Sequence, residues 1–153
     1  MDYHINEGSF TLPASAQDRS VNMLVLNLGP GGLTLVVTRD KVQEGENLHG
    51  FLTRQLRTLG TQVKSLKQQE PVALTVGAAQ LPGLQIATSF KQNSASIHQR
   101  QTVVQLAGSA VLVLTLTCAA PLNAEQDAYA QQLLDSFVPA GTNAAAAAAP
   151  AQA

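Results

Sequence analysis

Residue types able to do chemistry are sparse in this chain and poorly spaced for it. Histidine stands at positions 4, 49 and 98, none with a second ligand-type residue at metal spacing, and no Cys-x-x-Cys or His-Glu-x-x-His pattern accompanies them. No metal site is expected. Gly29-Pro30-Gly31-Gly32 superficially resembles a phosphate loop, but no Gly-Lys-Ser/Thr follows and the next segment has strand character, so it reads as a hairpin turn. Ser9, Ser20 and the other serines lack the sharp strand-to-helix turn that exposes a nucleophile. The carboxylates Asp18, Asp40, Glu44 and Glu46 border turns and a helix start, where local hydrogen bonding favours them. The expectation is a non-enzyme without cofactor or metal.

Composition narrows the remaining classes. The 153 residues make one domain's worth of chain. Charged residues are 12% of it, about half the usual share. Nine basic and ten acidic side chains give a net charge of −1, so no basic field attracts nucleic acid. A 45% apolar fraction supports a packed core and argues against disorder. Cys118 is alone and has no internal disulfide partner, and Met1-Asp2-Tyr3-His4 has neither the basic nor the apolar region of a secretory signal. A reducing cytoplasm is the expected location.

No charge occurs between Arg100 and Glu125, and roughly 20 such residues as helix would span a bilayer's ~30 Å core. Gln101, Gln105, Gly108, Ser109 and Thr115 interrupt the stretch and β-branched residues dominate it. Two strands joined by Ala107-Gly108-Ser109 are expected instead.

Tyr3 to Ile5 and Gly8 to Thr11 are short strands; Val21 to Leu26 is another, and the Gly-rich turn returns the chain as Leu33 to Arg39. Alternation puts Leu33, Leu35 and Val37 on the core face. Thr34, Val36 and Thr38 form a mild, uncharged face suited to being covered by a partner. In the preceding strand, alternation alone leaves open whether Val21 and Met23 or Asn22, Leu24 and Leu26 face the core.

Glu46 to about Leu66 is strongly periodic. At about 100° per residue, Leu48, Phe51, Leu52, Leu56, Leu59 and Val63 share one face, with Arg54, Arg57 and Lys64 opposite. Gln55 falls inside the apolar stripe, either satisfied in the core or awaiting a partner's backbone. Ala73 to Val76, Leu84 to Gln92, Ala95 to Leu106 and Ala110 to Cys118 read as strands, the last placed centrally because both its faces are apolar. On the Ala95 strand, Ile97, Gln99, Gln101, Val103 and Gln105 share a neutral, glutamine-rich face, with His98 and Arg100 opposite. Asn123 caps a second helix, Ala124 to Phe137. The domain is expected to occupy residues 1–140. Residues 141–153 form a low-complexity, alanine-rich tail expected to be disordered. The fold class is therefore α+β. An uncharged Val/Thr/Ile/Gln face suits a partner that is apolar yet carries hydrogen-bonding groups, such as a transmembrane helix held outside its membrane.

Particular segments carry a resemblance. Tyr3-x-x-Asn6-Glu7-Gly8-x-Phe10-x-Leu12-Pro13 precedes Asp18-Arg19-Ser20-Val21-Asn22-Met23-Leu24-Val25 and Leu35-Val36-Val37-Thr38-Arg39-Asp40. Glu46-x-Leu48-x-x-Phe51-Leu52-x-x-Gln55-Leu56-x-x-Leu59 and Ile97-His98-Gln99-Arg100-Gln101 complete the set. In this order, from Tyr3 to about Phe137, the chain resembles the Eag chaperones of bacterial type VI secretion, within the DcrB-like, PsbP-related group. The resemblance implies an antiparallel sheet flanked by two main helices, with a concave face that grips the N-terminal transmembrane helices of a PAAR/Rhs-type effector. It further implies a cytoplasmic homodimer that shields those helices until the effector loads on the secretion spike. The partner-binding residues it implies are Val21, Met23, Val36, Leu59, Val63 and Ile97 as the aliphatic grip, with Gln55 and Gln101 as hydrogen-bonding contacts. A structural or small-ligand role on the same fold is the alternative.

Overall fold

The computed structural model describes residues 1–141; apart from Gly141, the alanine-rich tail lies outside the described residues. Eleven elements follow in order. The strands β1 (Asp2–Ile5) and β2 (Gly8–Thr11) form a hairpin of their own, with the Tyr3 and Phe10 rings stacked at 6.0 Å. The Tyr3 hydroxyl meets Ser20 Oγ at 3.0 Å and ties this hairpin to the rest. Then come β3 (Asn22–Val25), β4 (Thr34–Lys41), helix α1 (Leu48–Gln62), β5 (Lys64–Gln68), β6 (Val72–Val76), β7 (Leu81–Gln92), β8 (Ala95–Gln105), β9 (Ala110–Cys118) and helix α2 (Ala124–Asp135). The main sheet runs β3-β4-β9-β8-β7-β5, and β6 shares the outer edge of β7 with β5. Every pairing is antiparallel, so the fold is α+β as the pattern predicts.

Strand alternation divides the core in two. Under α1, Phe51, Leu52 and Leu56 pack on Leu84, Ile86, Val103, Val111 and Val113. Under α2, Ala130 and Leu134 pack with Leu33, Leu35, Leu112, Leu114, Leu116 and Cys118. A fully buried Phe or Leu of this kind stabilises by roughly 1.5–3 kcal/mol. The open choice at β3 is settled by register: Leu24 opposes Leu35 and Met23 opposes Val36, which puts Leu24 on the α2 side and Met23 on the α1 side.

Helix α1 begins where Asn47 Oδ1 accepts the Gly50 N–H at 2.9 Å. It ends sooner than its periodicity predicts, at Gln62, and Val63 is an extended cap residue. Lys64 to Gln68 instead pairs with Lys91 to Thr88 of β7, because the outer backbone of that strand needs hydrogen-bond partners more than the helix needs another turn. Leu66 thus belongs to a strand, and Val63 lies one residue past the helix.

Glu46 clamps the helix start. Its carboxylate accepts from Arg54 Nε at 3.0 Å and Nη2 at 2.9 Å, and the Arg54 guanidinium lies 5.1 Å above the Phe51 ring. These bonds, with the Gln43 N–H, hold the Glu46 carboxyl down to about 2 from its ordinary 4.5. Because the folded value is the lower one, the stabilisation is present above pH 4.5 and disappears as the pH falls toward 2. Thermal melts of Glu46→Gln across this window are expected to show a shallower acid loss than wild type; parallel curves would show that Glu46 carries none of it.

Helix α2 is fixed by Gln126, which is fully buried. Its Oε1 accepts the Asn123 N–H at 2.9 Å, and its Nε2 donates to Leu28 O at 2.8 Å and Pro30 O at 3.0 Å. Gly29 and Gly31 have φ of +75° and +88°. A Cβ on Gly29 would fall 2.7 Å from Gln126 Nε2, and one on Gly31 2.6 Å from Cys118 Sγ. The glycine-rich turn is therefore the receptacle for a buried amide as well as a chain reversal.

Candidate functional site

Pairing across five strands assembles a single row on the α1 side. Met23 opposes Val36, Val36 opposes Thr115, Thr115 opposes Gln101, and Gln101 opposes Ile86. The row beside it is Val25, Thr34, Thr117, Gln99 and Thr88. Side chains in one row stand about 4.8 Å apart. Helix α1 lies toward β7 and β8 and buries Ile86 beneath it, but leaves the β3–β4–β9 half of both rows open. Val36, Thr115, Thr117, Gln99 and Gln101 are half-buried, and Met23 and Val25 are 69% and 64% exposed.

No row position carries a charge. Gln99 Nε2 donates to Thr117 Oγ1 at 3.3 Å. Among the described residues no hydrogen bond engages the Gln101 amide, and Thr88 Oγ1, next to Gln99, is buried without a partner. The face is thus apolar at its β3 end and offers the unused Gln101 amide further in.

The sequence-derived residues fall in five places. Met23, Val36 and Gln101 share the first row. Gln55 sits at the rim between α1 and β4, neither sealed in the core nor bare: it is half-buried and its Nε2 donates to Asp40 Oδ2 at 3.3 Å. Leu59 and Val63 are half-buried at the far end of α1. Ile97 opposes Phe90, four residues from Gln101 and so about 13 Å along β8. Val21 precedes β3 rather than lying within it and is 56% exposed. Sequence reading missed Val25, Thr34, Thr115 and Thr117 as neighbours of Gln99 and Gln101. Alternation gives their face, but only the β4–β9–β8 order gives their company.

A second opening lies on the α2 side. It encloses about 1210 Å³ between Leu24, Val37, Leu112 and Leu114 on the sheet and Leu133 and Phe137 beyond. Val37 was expected in the core. It is only half-buried because α2, at twelve residues, is too short to cover the β3–β4 end. Among the described residues no group of three or more His, Cys, Asp or Glu could hold a metal ion, and no helix is long and apolar enough to cross a membrane.

The DcrB family model matches residues 7–136. The chain belongs to the DcrB family. The match takes in the whole main sheet, both helices and all eight residues singled out above. The fold is shared with PA94 from Pseudomonas aeruginosa, described as a protein of unknown function and candidate regulator. That crystal structure superposes with a TM-score of 0.72 at 22% identity, over 93% of this chain and 98% of that one. No curated protein matches this DcrB-family chain.

Proposed function

We propose that this DcrB-family protein is a type VI secretion chaperone that binds and shields the N-terminal transmembrane helices of a PAAR/Rhs-type effector. In this reading it is a cytoplasmic, non-enzymatic homodimer that works without cofactor or metal. The observation that carries it is the open row Met23–Val36–Thr115–Gln101. A helix with its backbone already hydrogen-bonded presents side chains only; aliphatic groups at one end of the row and a free amide at the other match an apolar helix with occasional polar residues. The order of motifs shared with Eag chaperones supports the same partner.

The test is co-expression with an effector N-terminal fragment carrying its apolar helices. The fragment should be soluble and co-purify only when this protein is present; equal solubility without it overturns the reading. Gln101→Ala should weaken capture by about 1 kcal/mol, roughly fivefold. Gln55→Ala should cost less, because its amide must first leave Asp40. Titration of the purified fragment against each variant measures both.

The α2-side opening favours a second reading, a small apolar ligand on a non-chaperone member of the fold. Under it, native mass spectrometry of the protein purified alone would reveal a bound apolar mass; the chaperone reading expects none.

A further inference from the structure

The two edges of the main sheet differ in how they meet solvent. The β7 side is closed by two short strands laid end to end. It carries Lys64, Lys67 and Glu70, has Pro71 between the strands, and shifts register between Lys64 and Lys67 with Ser65 at φ +58°. Charges, proline and irregular backbone are the devices that keep an edge from recruiting another strand. The four residues of β3 have none of them. Asn22-Met23-Leu24-Val25 is uncharged, and all four residues are exposed. The Leu26 N–H donates to Leu33 O at 3.0 Å, so by antiparallel alternation Asn22 and Leu24 turn their backbone groups toward β4 while Met23 and Val25 turn theirs outward, unpaired.

Resting on the chaperone reading, we infer that β3 is where a second copy of this chain joins. The two β3 strands pair antiparallel about a two-fold axis through Leu24. Met23 then exchanges backbone hydrogen bonds with the partner's Val25, and Leu24 stands opposite the partner's Leu24. The binding face gives the reason. From Met23 to Gln101 one protomer's row crosses three inter-strand steps, roughly 14 Å at about 4.8 Å each. A membrane-spanning helix of about 20 residues is ~30 Å long. One copy covers half of such a helix and ends at the open β3 edge.

With β3 paired, the row Gln101–Thr115–Val36–Met23 runs on into Val25, Thr34, Thr117 and Gln99 of the partner subunit. That is seven steps, roughly 34 Å. The trough is closed at each end by an α1 helix and studded by an amide near each end, so its length matches the helix it would hold.

The test uses the free protein without effector. Leu24 and the partner's Leu24 would be a non-hydrogen-bonded pair with Cα atoms about 4.5 Å apart, within disulfide reach, and the native Cys118 is buried. Leu24→Cys is expected to give a covalent dimer under mild oxidation, while Val72→Cys on the opposite edge, which is at least as exposed, gives none. The double change Met23→Lys with Val25→Lys, at exposed positions, should keep the folded circular-dichroism spectrum and convert the dimer to a monomer in sedimentation equilibrium. A monomeric wild type, no cross-link from Leu24→Cys, or a dimer that survives the double change overturns the interface. Failure of the chaperone reading looks different: the cross-linked dimer forms but captures no effector fragment.

Discussion

Val36→Asp is expected to abolish capture of an effector's apolar helices while the free protein folds as before. Val36 is half-buried between Met23 and Thr115 on the open part of the sheet, so in the free protein an aspartate there keeps much of its water. Once an apolar helix covers the row, that carboxylate loses its hydration with no cation in the row to meet it. Placing Asp in hydrocarbon-like surroundings costs about 3 kcal/mol, roughly a hundredfold or more in affinity. Co-purification reads the loss, and a thermal melt within a few degrees of wild type shows that the fold is intact. Undiminished capture would move the binding face elsewhere, and a collapsed melt would reassign Val36 to the core.

Gln126→Leu should act on stability and leave the row untouched. Leucine is of comparable size but removes the bonds to Leu28 O, Pro30 O and the Asn123 N–H, leaving the partly buried Leu28 carbonyl and Asn123 N–H without that partner while Pro30 O keeps the Cys118 thiol. At about 1 kcal/mol or more for each, the loss is roughly 3 kcal/mol, on the order of 10 °C in Tm for a chain of this size. Differential scanning calorimetry measures it, and an unchanged Tm would show that water replaces the amide without cost. Because α2 and the turn lie on the other side of the sheet from Val36, the two substitutions separate binding from folding.

The contrast between these positions marks what could be read from sequence. Alternation identified the faces of β4 and β8, and the Asn93-Ser94 turn, with both residues at positive φ, set the register of β7 against β8. Those are local signals. The end of α1 was not readable, because Lys64-Ser65-Leu66-Lys67-Gln68 has no strand character of its own and is extended only by pairing with β7. Gln126 gave no sign of its burial, since its acceptors lie in a distant turn. The row itself depends on β9 entering between β4 and β8, a choice made by non-local packing. Thus Gln101 and Val36 were recognisable separately, while Thr115, which joins them, was not.

That central place of β9 bears on the order in which the protein matures during synthesis. A chain leaves the ribosome N-terminus first, so the β3–β4 pair and the β7–β8 pair can each close while residues 110–118 are still in the exit tunnel. Neither pair is hydrogen-bonded to the other in the finished sheet. Until β9 inserts, Met23 and Val36 sit on one fragment and Gln101 on another, joined through the connection from Lys41 to the start of α1 at Leu48. On the chaperone reading, insertion of β9 is then the step that brings Met23, Val36 and Gln101 into one row and so switches recognition on.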